Sequence, residues 1–376
     1  MVGGDELKHR VSEGSVARLG RHLVTGDSSF PFDEFVRGAC VGLAELELKA
    51  RIAHVAEALA KTLPQPFPRA CEVIQAANSL HSEIKAEDGA FVFWPLCTFV
   101  ETHGLDFFDE AFATMHRLTG LASCEFALRP FVEREPQRSF DTLHGWTTDG
   151  DHHVRRLVSE GTRPRLPWGG RLRALQLDPS PTIALLDRLY CDDELYVRRS
   201  VANHLNDISK DHPDLAVEVA QGWMRAVEAG PRSEQVGWLA RHALRGLVKQ
   251  GHRGALALQG FARPQVEVTG FSVSPGRLQF GSELKIDLEL KAGADEALMI
   301  DYAVHHRKSS GGVSAKVFKW SRVRAKSGEN LVLEKRHSIR KISTRRYYDG
   351  PHKVEVLING ESVAIADFEL VGVDSE

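Results

Sequence analysis

Glu160 and Asp207 stand among basic and amide side chains on helix-like segments, a mixture of residue types that suits phosphate and cation chemistry. In residues 196–213, a spacing of 100° per residue gathers Val197, Val201, Leu205 and Ile208 into one apolar stripe. Arg199, Asn203, Asn206 and Lys210 gather on the opposite stripe, with Asp207 at its flank. An ordinary amphipathic helix explains one wet and one dry face. It does not explain why the wet stripe holds Arg, Asn, Asn and Lys and no carboxylate. Such a face suits phosphate oxygens, which are anionic and accept hydrogen bonds.

The same geometry recurs upstream. Val154, Leu157 and Val158 form an apolar side, while Arg156, Glu160 and Arg163 share the polar side. Carboxylates beside a phosphate track repel the anion unless they meet a cation. The plainer alternative is an internal ion pair of Glu160 with Arg156 or Arg163. After Glu160 the run Gly161-Thr162-Arg163-Pro164-Arg165-Leu166-Pro167-Trp168 ends the helix in a stiff loop with Trp168 at its tip. A Trp on a Pro-rich loop is placed on the surface more readily than one inside a helix.

The elements that must position these residues show a period. Val154-Arg155-Arg156 returns as Val197-Arg198-Arg199, and a weaker copy follows at Ala240-Arg241-His242, each about 43 residues on. Each copy leads into a second helical run, so one period is a helix pair of the HEAT-like class, which buries its apolar face only by stacking on neighbours. Near Pro264 the pattern changes to short alternating runs, such as 284–290, 299–304 and 331–333. Residues 354–365 read as a hairpin with an Asn359-Gly360 turn. The expected architecture is therefore α then β. Residues 1–263 form a HEAT-like α-solenoid, and residues 264–376 form a β-sandwich without cysteine.

The 376 residues are 42% hydrophobic and 26% charged, with a formal charge of −3, so the whole chain is not a basic nucleic-acid binder. Locally the balance differs. Residues 305–346 hold thirteen Lys and Arg against Glu329 and Glu334. That density points to a second surface for a polyanion, with residues 305–312 (His305, His306, Arg307, Lys308 and onward) expected as a flexible basic loop. Cys40, Cys71, Cys97, Cys124 and Cys191 are scattered and form no C-x-x-C, which favours buried free thiols in a reducing cytoplasm over a zinc site or disulfides. No Gly-rich phosphate loop, H-E-x-x-H or G-x-S-x-G occurs, no leader is expected at the N-terminus, and no apolar run approaches the ~18 residues of a membrane span.

Two strings carry a resemblance. Residues 159–168 (Ser-Glu-Gly-Thr-Arg-Pro-Arg-Leu-Pro-Trp) and 198–213 (Arg-Arg-Ser-Val-Ala-Asn-His-Leu-Asn-Asp-Ile-Ser-Lys-Asp-His-Pro) resemble the AlkC branch of the AlkC/AlkD DNA alkylation-repair glycosylases. Residues 124–131, 94–96 and 46–51 are similar too, so the resemblance spans most of 35–260. It departs at Cys124, where a small polar residue is expected, and at the extreme N-terminus. It implies a HEAT-like solenoid clamped on double-stranded DNA, and it makes the β-sandwich an immunoglobulin-like domain. The implied activity removes positively charged N-alkylated bases, 3-methyladenine and 3-methylcytosine, without metal, nucleotide or other cofactor. The family's carboxylates match Glu125, Glu160 and Asp207, and its lesion-facing tryptophan matches Trp168.

The chemistry agrees with those residue types. A cationic base is already a good leaving group, and its departure builds oxocarbenium character on the sugar, which nearby carboxylates stabilise while they position water. Asp207 is expected to serve the sugar and the water, with Glu125 and Glu160 around the lesion and Trp168 stacked near it. Arg155, Arg156, Arg163, Arg165, Arg198, Arg199, Asn203, Asn206 and Lys210, with His305, His306, Arg307 and Lys308, are the expected DNA contacts, though some of these Arg must face a neighbouring helix. The adjacent histidines point to opposite faces of a strand, which argues against a metal there. The expected setting is a cytoplasmic monomer of bacterial type, nucleoid-associated when on alkylated duplex DNA and away from membranes. The competing readings are a protein-binding HEAT scaffold and a DNA-binding relative without activity.

Overall fold

The computed structural model describes residues 7–79, 89–343 and 345–373. By its internal contacts the chain divides into two compact units, Met1–Asp211 with Trp223–Ala243, and His212–Gly222 with Leu244–Glu376. The helices are α1 (Glu13–Gly26), α2 (Phe32–Cys40), α3 (Leu48–Thr62), α4 (Phe67–Ser79), α5 (Gly89–His103), α6 (Phe108–Leu118), α7 (Arg129–Arg134) and α8 (Pro136–Trp146). They continue as α9 (His152–Gly161), α10 (Arg173–Leu177), α11 (Ser180–Leu189), α12 (Leu195–Ile208), α13 (Pro213–Ala226), α14 (Ser233–Ala243), α15 (Arg245–Lys249) and α16 (Arg253–Leu258). No helix among the described residues is long and apolar enough to cross a membrane.

The periodicity sets the packing. Val197, Val201, Leu205 and Ile208 of α12 are all buried, each worth about 1.5–3 kcal/mol of apolar burial. α12 packs on α9 on one side and on α14 on the other. α9 begins at Asp151, whose side chain accepts from the His153 N–H at 2.8 Å and caps the helix. It ends at Gly161, where a Cβ would fall 2.6 Å from Leu128 Cδ2, so a side chain there would have to push Leu128 aside. Val154 and Val197 each stand at the third position of their helix, whereas Ala240 comes near the end of α14, so the third copy of the triplet does not hold the register.

The second unit carries eight strands among its described residues: β1 (Val266–Ser274), β2 (Arg277–Gln279), β3 (Glu283–Ala292), β4 (Glu296–Arg307), β5 (Val313–Ala325), β6 (Asn330–Ser338), β7 (Gly350–Ile358) and β8 (Glu361–Val371). One sheet has the order β1-β3-β6 and the other β2-β8-β7-β4-β5. Inward residues of both, Leu284 and Ile286 from β3 with Tyr302, Val304, Val354 and Phe368, share one core, which makes a sandwich. The β7–β8 hairpin turns at Asn359-Gly360 as the sequence predicts, with φ of 47° and 78°. The Asn359 amide oxygen accepts from the Met299 N–H at 2.7 Å, and its nitrogen donates to the Ala262 and Ala297 carbonyls. All five cysteines are free, but only Cys71, Cys97 and Cys124 are buried, while Cys40 and Cys191 are half-buried.

Candidate active site

A continuous chain of alternating charges crosses the helical unit. Arg156 on α9 bonds to Glu125 and lies 3.5 Å from Glu160. Arg163, just beyond α9, donates to Glu160 at 2.6 Å and to Asp207 on α12 at 2.8 Å. Lys210 closes the row on the other Asp207 oxygen at 2.8 Å. The order is Glu125, Arg156, Glu160, Arg163, Asp207, Lys210, three acids and three bases. Hydroxyls complete it: Ser200 donates to Glu160 at 2.6 Å and Ser123 to Glu125 at 2.8 Å.

Repeat geometry builds this row. Stacking α9 beside α12 sets Ser159 Oγ 2.8 Å from Ser200 Oγ, and the Ser159 carbonyl 2.8 Å from His204 Nδ1. Burial holds the His204 ring down to about 4, so it is neutral and adds no charge behind the row. Burial also opposes ionisation of Glu160, but Arg156, Arg163 and the Ser200 hydroxyl outweigh it and hold that carboxyl below the usual glutamate value. Glu160 is thus a buried, ionised carboxylate at neutral pH.

A cleft of about 300 Å³ opens onto the acidic end of the row. Glu125 and Glu160 line it together with Phe91, Trp94, Phe126 and Trp168. Trp94 and Phe126 stack at 5.4 Å with their planes 12° apart. Trp168 is 59% exposed and has φ of 66°, a left-handed conformation that costs a bulky residue about 1–3 kcal/mol. The surrounding loop holds it there. Arg129, which is buried, donates to the Gly161 and Arg163 carbonyls at 2.9 and 2.8 Å and to the Gly170 carbonyl. Arg165 forks onto Asp211 at 2.9 and 2.6 Å, and Lys49 bonds to the Trp168 carbonyl.

The structure brings Glu125, Glu160 and Trp168 to one cleft. Asp207 is not a flanking surface residue: it is 1% exposed, and both its oxygens are paired. The internal ion pairs foreseen for Glu160 also exist, with both arginines. Several expected DNA contacts are engaged by protein. Arg155 forks onto Asp192 at 2.6 and 3.0 Å, and Arg198 is buried against the Asp192 and Asp193 carbonyls at 2.6 and 2.8 Å. Arg163 is buried in the row, and Asn203 lies 3.2 Å from His242. Arg199 and Lys210 are exposed, and Asn206 is half-buried.

In the second unit the expected basic loop is shorter. β4 runs through Arg307 and pairs with β5 from Val313, so His305, His306 and Arg307 are strand residues and only residues 308–312 form the turn. Strand alternation then turns His306 inward, 2% exposed, while His305 bonds to Glu355 at 2.8 Å. Arg307 donates to the Asp349 carbonyl, and Lys308 is exposed.

Residue patterns alone did not single out Trp94, Phe126, Ser200 or Lys49. Trp94 lies in a strongly apolar helix and reads as core, and its stack with Phe126 spans 32 positions, which no local period reveals. Among the described residues one group, Asp151, His152 and His153, has potential metal-ligand atoms within 4.8 Å of one another. Asp151 already serves there as the cap of α9.

Residues 267–372 match the family described as "Uncharacterised protein YhaZ, C-terminal Ig-like domain". The molecule is thus, by class, a stacked-helix protein with a charged cleft, followed by an immunoglobulin-like domain. It is 33% identical over 367 residues to the uncharacterized protein YhaZ of Bacillus subtilis (strain 168), covering 97% of this chain and 99% of that one. The structure matches Pseudomonas fluorescens alkylpurine DNA glycosylase AlkC bound to DNA containing an abasic site analog, with a TM-score of 0.83 and 36% identity over 97% of this chain and 99% of that chain. The chain belongs to the AlkC-type DNA alkylation-repair glycosylase family.

Proposed function

We propose that this chain is a DNA glycosylase that hydrolyses the N-glycosidic bond of cationic alkylated bases, 3-methyladenine and 3-methylcytosine, in duplex DNA. The observation that carries this reading is an ionised Glu160 opening, with Glu125, onto a cleft walled by Trp94, Phe126 and Trp168. Aromatic faces and carboxylates together favour a planar cation. When the C1′–N bond breaks, its electron pair goes to the base and cancels the base's charge, while positive charge builds on the sugar. Glu125 and Glu160 stabilise both charges in turn, and a water adds to C1′ and gives up its proton to a carboxylate.

Asp207 takes the sugar side in this reading. Lys210, its partner, is the exposed member of the row. A DNA phosphate that draws Lys210 away leaves one Asp207 oxygen free and the row net negative. Arg199 and Asn206 are the remaining open positions of α12 for phosphate, and Lys308 contributes from the sandwich. The proposed partner is alkylated double-stranded DNA, met by a monomer in the cytoplasm, with no cofactor required by the steps above.

The test is release of free base from methylated duplex DNA by the intact chain and by Asp207→Ala and Glu160→Ala. Release that is lost in the variants while salt-sensitive duplex binding persists is the expected result. Duplex binding without base release by the intact chain would reduce the protein to a DNA binder. A row needed only for stability would give variants that melt earlier but, below their melting point, release base at the original rate.

A further inference from the structure

Trp94, Phe126 and Trp168 are walls of two chambers, not one. The same three rings also line a second cleft of about 350 Å³, whose lining includes neither Glu125 nor Glu160. Its remaining walls include Thr98, Glu101, Glu133, Arg129 and Lys49. The volume is within the ~300–1,000 Å³ range of small-molecule sites.

The two sides differ in charge. The first holds two carboxylates, one of them kept ionised. No Lys or Arg lines the first, whereas in the second Lys49 and Arg129 balance Glu101 and Glu133, and burial pushes the Glu101 carboxyl up against the opposing pull of Lys49 and Arg129. Lys49 also sits 5.8 Å from the Phe126 ring centre. A cation therefore gains little in this chamber, whereas a neutral aromatic ring keeps the stacking and avoids the repulsion. Polar groups also remain available. Arg129 is 5% exposed; its Nη1 donates twice and its Nη2 to the Gly170 carbonyl, while its Nε–H has no hydrogen-bond partner. The Glu101 carboxyl supplies acceptor capacity, or a donor when protonated. An unpaired donor beside a carboxyl complements the edge of an aminopurine or aminopyrimidine, where a ring nitrogen accepts and an exocyclic amine donates.

We propose that this second chamber binds the free, neutral nucleobase, the leaving product of the reaction. It rests on the glycosylase reading in one respect only, the source of that base. Bond cleavage converts a cationic base into a neutral one, so the preference changes from the carboxylate side of the aromatic wall to the Lys49–Arg129 side at the moment of reaction. Bound product would then occupy the wall that the next lesion must stack on, and free base would inhibit turnover.

Calorimetric titration of the full chain with free 3-methyladenine, and separately with adenine, tests this. One saturable site is expected for both. Glu101→Leu should weaken it at least tenfold and Glu101→Gln less, while Glu160→Gln should leave it within twofold. Circular dichroism melting of each variant separates lost binding from lost folding, and the near-isosteric Gln variant provides the case in which folding is preserved. No saturable binding overturns the proposal, as does binding that Glu160→Gln removes and Glu101→Leu spares. The same preparation is assayed for base release from methylated DNA. Release without free-base binding sinks the chamber and leaves the glycosylase standing. Free-base binding without release keeps the chamber and sinks the glycosylase.

Discussion

In the helical unit Arg156, Arg163 and Lys210 each meet a carboxylate within 2.8 Å, and Arg155 and Arg165 each fork onto one more. In the β unit Lys308 and Arg324 form no ion pair with a carboxylate among the described residues, and both are exposed. β5, which carries Lys319 and Arg324, is an edge strand, where charged side chains also prevent pairing with another sheet. Counting charges along the chain shows an excess of cations in residues 305–346 but not which cations are engaged. Pairing separates the named residues: those of the helical unit hold buried or half-buried acids in place, whereas Lys308 and Arg324 are open to a distant polyanion, although other cations of the β unit, such as Lys326 with Asp295, are paired at the surface. Committed charges give chemistry at one point, and uncommitted charges give affinity that salt removes.

The contrast is broken most forcefully at Asp207. Asp207→Ala leaves Arg163 buried with one partner fewer, and loss of one member of a buried pair costs about 3–5 kcal/mol. Urea unfolding followed by far-ultraviolet circular dichroism should show that loss. Charge reversal of exposed Arg324 should change stability by about 0.5 kcal/mol or less. Equal losses at the two sites would mean that pairing does not distinguish the regions.

Glu160→Gln comes next, because it keeps the shape and removes the charge. Single-turnover base release should fall by about 10²–10³. The same substitution should alter the acid limb of stability. Glu160 has a lowered folded-state value, so its contribution is present above the ordinary value of 4.5 and is lost as pH falls through the lower folded-state one. The wild type should therefore lose more stability than Glu160→Gln on acidification below pH 4.5, measured as melting temperature across that range.

Those predictions rest on features of unequal legibility. Glu160, the Val154 and Val197 triplets and the Asn359-Gly360 turn are local patterns, and each reads directly from spacing. The α-then-β order reads from the change of period near Pro264. The partners of each charge do not read this way. Arg163 reaches Asp207 across 44 positions, and no spacing rule tells a buried bridging arginine from a wet one four residues away on the same stripe. His306 misleads for a related reason: the histidine-rich run resembles a loop by composition, but hairpin pairing extends the strand through it and alternation buries the ring.

The uncommitted side yields a smaller and more specific effect. Lys308→Glu and Arg324→Glu should each weaken duplex binding several-fold at low salt. Each should also lower the slope of log K against log salt by about 0.9 for every phosphate that the wild-type cation neutralises. The slope is the informative reading, since a local unfolding event lowers affinity at every salt concentration alike. An unchanged slope in both variants would remove the sandwich from the DNA-binding surface and leave its cations to edge protection.

The effect expected at Trp168 is likewise modest, and it discriminates most finely. The ring faces the cleft from a loop pinned by Arg129, Lys49 and Arg165, so its orientation survives a change of side chain. Cation–π attraction is worth about 0.5–2 kcal/mol, which corresponds to roughly 2–30-fold in rate. Trp168→Leu should therefore slow release of cationic 3-methyladenine by that factor. Trp168→Phe should keep most of the rate, because a smaller π face remains. Stability supplies the internal control. Gly at position 168 relieves the left-handed backbone strain, whereas Leu and Phe do not. If Trp168→Gly melts no earlier than Trp168→Leu and the two lose the same rate, the loss belongs to the missing ring and not to the loop. If Leu retains the full rate, the aromatic wall is carried by Trp94 and Phe126 alone, and Trp168 is a surface residue strained for some other purpose.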